Sequence, residues 1–167
     1  MASASAKREF RIRFGEVADT PALVSLINIS FIPEQVAIEG DRIDAQRLRP
    51  YFKTGRLLVL EDDQGLAGCV YAEVRGARGY IGLLAVRPGL KGSGLGRKLM
   101  SSAEEYLANA GCEAADLRTI SAREDLVPMY KHLGYRQTGT EAMPPEIPLK
   151  IPCHFVVMSK RIQKYEL

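Results

Sequence analysis

The chain has 167 residues, 46% hydrophobic and 26% charged, with a formal net charge of +3. That length supports one domain with a full hydrophobic core, and the composition is that of a soluble globular protein. The charge is too small to argue for a nucleic-acid partner, and no apolar run approaches the ~20 residues of a membrane span.

Met1 to Arg8 lacks the apolar stretch of a signal peptide. A cytoplasmic protein is expected, with residues 1–8 flexible ahead of a single domain over 1–167. Phe10, Ile12 and Phe14 alternate with Arg11 and Arg13, the period of a first strand. Thr20-Pro21 reads as a helix start, with Thr20 as N-cap and Leu23, Leu26 and Ile27 on one apolar face. Phe31 to Asp41 has no clear period and reads as a loop or a broken helix. A further helix is expected from about Asp44 to Phe52, strained by Pro50.

Arg56–Glu61, Leu66–Arg75 and Tyr80–Val86 read as three strands joined by the turns Asp62–Gly65 and Gly76–Gly79, an antiparallel meander. Leu95, Leu99, Ala103, Tyr106, Leu107 and Ala110 then follow helical spacing, stopped at Gly111. Ala115–Ile120 is the strand after it. A strand, helix and strand at this spacing make a crossover, so Tyr80–Val86 and Ala115–Ile120 should run parallel. Asp125 can cap a short helix, Leu126–Leu133, stopped by Gly134. Tyr135–Thr140 and Cys153–Lys160 are the last strands, separated by the proline-rich loop Met143–Pro152. The sum is an α/β domain whose mixed, mostly antiparallel central sheet contains one parallel β-α-β crossover. Cys69, Cys112 and Cys153 form no C-x-x-C pair and read as reduced thiols.

The segment that carries chemistry is Lys91-Gly92-Ser93-Gly94-Leu95-Gly96-Arg97, between a strand end and a helix start. Glycines let backbone N–H groups turn toward one point, and a helix N-terminus adds unpaired donors and a positive dipole end, which suits a pyrophosphate. A Walker A loop from Gly89 would need a lysine where Leu95 stands. A dinucleotide fingerprint would need a third glycine at Arg97 or Leu99. Those two readings fail; a ligand-free glycine turn remains the plain alternative.

Leu84-Ala85-Val86-Arg87-Pro88 followed by Lys91–Gly96 resembles the acetyl-CoA signature of GNAT acetyltransferases, a strand ending L-x-V-x-P and then [Arg/Gln]-x-x-G-x-[Gly/Ala]. Met129-Tyr130-Lys131-His132-Leu133-Gly134-Tyr135 resembles that family's later tyrosine motif. The resemblance implies a single GNAT-type domain that uses acetyl-CoA as co-substrate, without a metal, to acetylate a primary amine of a small molecule or peptide through a ternary complex. Its rival is a catalytically weak acyl-CoA-binding module of the same fold. By resemblance, the backbone of Leu84, Ala85 and Val86 would pair with the pantetheine arm. Lys91, Gly92, Ser93, Gly94, Leu95, Gly96 and Arg97 would surround the pyrophosphate, and Tyr130 would protonate the departing thiolate. Lys91 stands where the family has arginine or glutamine, keeping charge but losing a planar fork. Arg123 stands where many members have asparagine. The fold also permits a strand-mediated homodimer.

The main chain of Leu84–Val86 would suit a developing oxyanion. No carboxylate lies in Tyr80–Val86, so the general base is sought nearby. Glu73, on the neighbouring strand and on the face of Cys69 and Tyr71, is the first candidate, with a solvated strand carboxylate as its plain alternative; Glu34 is the second, and deprotonation through water would serve as well. His132, two residues from Tyr130, points to another helix face, and neither it nor His154 reads as catalytic. Met143–Pro152, stiffened by four prolines, is expected to pack over the open end of the sheet and wall the amine site.

Overall fold

The structure, a computed structural model, describes residues 9–163; the expected flexible segment 1–8 lies outside them. In chain order the elements are β1 (Arg11–Phe14), α1 (Thr20–Ser30), α2 (Ala45–Leu48), α3 (Tyr51–Thr54), β2 (Arg56–Asp62), β3 (Gly65–Arg75), β4 (Arg78–Val86), α4 (Leu95–Asn109), β5 (Ala114–Ile120), α5 (Leu126–His132), β6 (Arg136–Ala142) and β7 (His154–Arg161). The strands form one sheet in the order β1-β2-β3-β4-β5-β7-β6, with only β4 and β5 parallel.

Helices cover both faces of the sheet's first half, which is why β2 reads as an unbroken apolar run rather than an alternation. Leu57 and Val59 point to a core under α1 with Leu23, Ile27, Cys69 and Tyr71. Leu58 and Leu60 point to a second core under α4 with Leu99, Met100, Ala103 and Leu107. Each buried leucine contributes about 1.5–3 kcal/mol by leaving water.

Three local expectations are corrected. The N-cap of α1 is Asp19, not Thr20; a short 3-10 turn, Val17–Asp19, precedes the helix, and the Thr20 hydroxyl donates back to the Val17 carbonyl. The helix expected over Asp44–Phe52 is two, α2 and α3, because Pro50 cannot continue the first and starts the second. Asp125 precedes α5 without a side-chain capping bond, its carboxylate being taken by Arg123. Phe31–Asp41, left between loop and broken helix, contains a 3-10 turn over Ile32–Val36.

The parallel pairing is shorter than the sequence suggests. β4 and β5 are in register only at Arg78–Ala114, Gly79–Ala115 and Tyr80–Asp116. Beyond that point β4 stays with β3, while β5 stays with β7 to Ile120. Arg78 donates two hydrogen bonds to Asp116, which also accepts from Ser159 on β7. These bonds fasten the closed end of a V whose open end is the cleft described next.

Candidate active site

The V opens because β4 is bulged. Cys69 pairs with Ala85 and Tyr71 with Gly82, so Leu83 and Leu84 together face Val70. Leu83 has φ +51, outside the range of ordinary strand residues. A bulge of this kind bends its strand and re-aims its side chains. Simple alternation would put Ile81, Leu83 and Ala85 on one face. Instead Ile81, Leu84 and Val86 face α4, while Leu83 and Ala85 face α1. The Cys69 thiol, pushed up to about 12 by burial, donates to the Leu83 carbonyl at 3.4 Å and supports the bulge from beneath. The Ser30 hydroxyl donates to the Val86 carbonyl (3.0 Å), tying the end of α1 to the same strand. Neither Leu83 nor Ser30 carries a local sequence signal, since both roles depend on partners more than ten residues away.

A cleft of about 730 Å³ runs between the parted strands. Leu84, Ala85 and Val86 line it on the β4 side, and Lys91, Gly92 and Gly96 line it at the start of α4. Gly92 and Gly94 have φ +83 and +85, and a side chain built on either would meet nothing within 4 Å. The backbone of the loop is therefore open to a group approaching from the cleft. The first backbone bond of α4 runs from the Lys98 N–H to the Gly94 carbonyl (3.1 Å), leaving the amides of Leu95, Gly96 and Arg97 ahead of it as free donors. Ser93, Gly94, Leu95 and Arg97 do not line the cleft themselves. The Ser93 hydroxyl is bonded to the Leu90 carbonyl, and the Leu95 side chain is buried in the core.

Tyr130 lines the opposite wall. Its ring meets that of Tyr135 edge to face at 5.9 Å, and burial holds its phenol above the ordinary tyrosine range, so the hydroxyl keeps its proton. Leu126, Met129, Tyr130 and Leu133 have the i, i+3, i+4, i+7 spacing of one helix face, yet that face is divided. Val127, Tyr130 and Leu133 pack against the α4 core, while Met129 is 39% exposed and lines the cleft with Leu126. Arg123 also lines the cleft, its Nε and Nη2 both bonded to Asp125 (3.0 Å each).

Glu34 and Glu73 differ sharply. Glu73 is not among the lining residues; its carboxylate accepts from the Tyr71 hydroxyl and from Arg75 (3.0 Å each). Glu34, on the turn after α1, lines the cleft at 8% exposure. Burial raises its carboxyl above the ordinary range, opposed by the charges of Arg42 and Arg123. The proline-rich loop contributes Met143, Pro144, Glu146, Ile147 and Pro148 to the cleft wall. His132 and His154 are exposed and do not line it. Cys69, Cys112 and Cys153 are free thiols. Among the described residues no cluster of His, Cys, Asp or Glu is arranged to hold a metal ion, and no helix is long and apolar enough to cross a membrane.

Residues 21–135 match the family model described as "Acetyltransferase (GNAT) family". The chain is 30% identical over 130 residues to a mycothiol acetyltransferase of Propionibacterium freudenreichii, covering 74% of this chain and 42% of that protein. It is 28% identical over 113 residues to a mycothiol acetyltransferase of Streptomyces avermitilis, covering 66% and 37%. The chain thus spans about two fifths of the length of these curated relatives. Among solved structures, the Escherichia coli ribosomal-protein-S18-alanine N-acetyltransferase superposes with TM-score 0.73 at 17% identity, covering 95% of this chain and 97% of that one. The Salmonella typhimurium yncA protein, a putative acetyltransferase solved with acetyl-CoA, superposes with TM-score 0.72 at 20% identity, covering 95% and 97%. At these identities the structures show a shared fold.

Proposed function

The chain belongs to the GNAT acetyltransferase family, and from that premise we propose that it transfers the acetyl group of acetyl-CoA to a primary amine of a small molecule or peptide, directly within a ternary complex. The observation that carries this proposal is one cleft lined together by Leu84–Val86, by Lys91, Gly92 and Gly96 of the glycine loop, and by Tyr130. The residues suit acetyl-CoA: a strand edge for the amides of an extended arm, and an open glycine loop at a helix N-terminus for its pyrophosphate. Bound there, acetyl-CoA supplies the activated acyl group.

In this proposal Lys91 adds positive charge beside the loop, and the main chain of Leu84–Val86 orients the thioester. Its amides donate to the carbonyl oxygen as negative charge develops. Glu34 takes the ammonium proton of the acceptor, directly or through one water, freeing the nitrogen lone pair to form the new C–N bond. Tyr130 gives its phenolic proton to the sulfur as the C–S bond breaks, and the second proton shed by the nitrogen on forming the amide restores the phenol through solvent. Glu73 is the weaker candidate, because its carboxylate is already engaged by Tyr71 and Arg75 away from the cleft.

The test is to mix the protein with acetyl-CoA and a panel of amines, following free CoA thiol and the mass of the acetylated amine. Amine-dependent CoA release without acetylation of the protein itself is expected. Acetyl-CoA binding with no CoA release under any amine would favour the catalytically weak binding module instead.

A further inference from the structure

The acceptor end of the cleft has a charge balance that the transfer chemistry leaves unused. Two segments meet there. Ile38 and Leu149 form an isolated antiparallel bridge, with the Glu39 N–H donating to the Pro148 carbonyl (3.0 Å) and the Lys150 N–H to the Ala37 carbonyl (2.7 Å). This strap lays the chain after the 3-10 turn against the proline-rich loop. It brings Glu39 and Asp41 from one segment, and Glu146 from the other, to one rim of the cleft. Among the described residues none of these three carboxylates has a hydrogen bond or an ion pair.

Glu34 lines the same cleft. It is more than nine-tenths buried, yet no side chain or amide donates to its carboxylate among the described residues; Arg42 and Arg123 act on it only through space. A buried carboxylate without a donor is a group that a ligand can complete.

The cations on the same walls are mostly committed. Arg47 pairs with Asp44, Arg123 with Asp125, and Arg118 with Glu141 while stacking on Phe155 at 4.4 Å. Arg42 has no ion pair among the described residues and lies over the Phe31 ring at 5.4 Å. Lys91 belongs to the other end, at the glycine loop. Lys150, on the strap, does not line the cleft. Four uncommitted carboxylates (Glu34, Glu39, Asp41, Glu146) therefore face one uncommitted guanidinium. A partly enclosed cleft with that imbalance concentrates cations, and an aromatic face such as that of Tyr51 favours ammonium groups, the Tyr80 ring being covered already by Arg75 at 4.3 Å.

Resting on the transfer function proposed above, we infer that the acceptor is a small polycation, a diamine or polyamine. One amine reaches Glu34 beside the thioester, and a second ammonium group is held at the rim by Glu39, Asp41 and Glu146. An amino acid or any acceptor with a nearby carboxylate would instead bring like charge against this rim.

The experiment compares three amines of matched chain length: putrescine, butylamine and γ-aminobutyrate. Each is titrated into CoA-loaded protein by calorimetry and assayed for acetylation with acetyl-CoA. Putrescine should exceed butylamine about tenfold in affinity and kcat/KM at low salt, γ-aminobutyrate should be weakest, and the gap should shrink from about 20 mM to about 500 mM salt. Glu39→Gln/Asp41→Asn/Glu146→Gln should bring the putrescine-to-butylamine ratio close to one. If γ-aminobutyrate equals putrescine, if putrescine does not bind, or if the triple variant keeps the wild-type ratio, the inference is overturned. Putrescine binding without CoA release would support the inference while sinking the transfer function. Turnover of γ-aminobutyrate in preference to putrescine would do the reverse.

Discussion

The guanidinium of Arg87 closes a fork on the carboxylate of Asp62, with bonds of 3.0 and 3.1 Å, and donates a third bond to the Leu66 carbonyl (3.0 Å). Arg87 follows the last residue of β4, and Asp62 ends β2. The pair therefore fixes where the cleft strand stops and the glycine loop begins. The Asp62 side chain is fully buried, that of Arg87 26% exposed. Asp62→Ala should destabilise the fold by about 3 kcal/mol, the low end for breaking a buried pair, or roughly 6–12 °C in Tm. Arg87→Lys keeps the charge without the fork and should lose less. Thermal melting of the two variants checks this; an Asp62→Ala protein that melts with the wild type would reduce the pair to a surface ornament.

Gly94 is the N-cap of α4 at φ +85, and Gly111 follows the same helix at φ +95. A valine at either position strains the backbone by at least about 1–2 kcal/mol. Only at Gly94 would it also fill the open space beside the amides ahead of Lys98 that a phosphate would need. Gly94→Val should abolish acetyl-CoA binding, whereas Gly111→Val should lose stability and still bind. Calorimetry with acetyl-CoA on both variants separates strain from ligand loss, and equal affinities would place the pyrophosphate elsewhere.

The glycine loop was legible because its information is local: glycines, a strand end and a helix start within a few residues. The antiparallel meander of β2, β3 and β4 and the parallel direction of β5 were legible for the same reason, from turns and one crossover length, whereas the place of β7 between β5 and β6 was not, because no short turn announces it. The β4 bulge was not, because it exists only as a mismatch between Leu83–Leu84 and Val70 across two strands. Alternation in Tyr80–Val86 gave no hint that Leu83 leaves the ordinary strand region. Glu73 looked the better base because strand periodicity shows which face a residue occupies, but not that Tyr71 and Arg75 engage its carboxylate. What distinguishes Glu34 is desolvation, which packing of the turn after α1 creates and no local pattern announces. Tyr130 was found by its motif; helical spacing alone would have left it as a core aromatic.

Glu34 couples stability to function. Its carboxyl is raised chiefly by burial, with Arg42 and Arg123 pulling the other way. The native protein therefore holds this proton to higher pH than the unfolded chain, whose glutamate titrates near about 4.3. Stability is full below that value and declines as pH rises through the raised native one. Glu34→Gln removes the cost of a buried charge, so the variant should melt higher than the wild type at neutral pH, with the gap closing in acid. As the proposed base, Glu34 must be ionised to act, and the same variant should lose about a hundredfold or more in kcat. Melting curves and rates across pH test both halves. A variant with unchanged kcat would move the base to water or to Glu73.

Tyr130 is a half-buried residue that lines the same cleft as Leu84–Val86. Burial, the largest influence on its phenol, raises it further above the ordinary value of about 10, outweighing the lowering effect of Arg123. The group is thus protonated throughout the neutral range and can donate to a developing thiolate whose conjugate acid has a pKa of about 8.5. A phenol raised this far should add no descending limb to the pH–rate profile below about pH 10. Tyr130→Phe preserves the ring and its edge-to-face contact with Tyr135 and removes only the hydroxyl. It should lower kcat by roughly 10²–10⁴-fold while acetyl-CoA still binds and Tm changes little. A faster-leaving acyl thioester, with a more acidic thiol than CoA, should recover part of the loss in the variant, because protonation then matters less. An unaltered kcat in a stable Tyr130→Phe protein, with chemistry shown to be rate-limiting, would leave this tyrosine as packing alone.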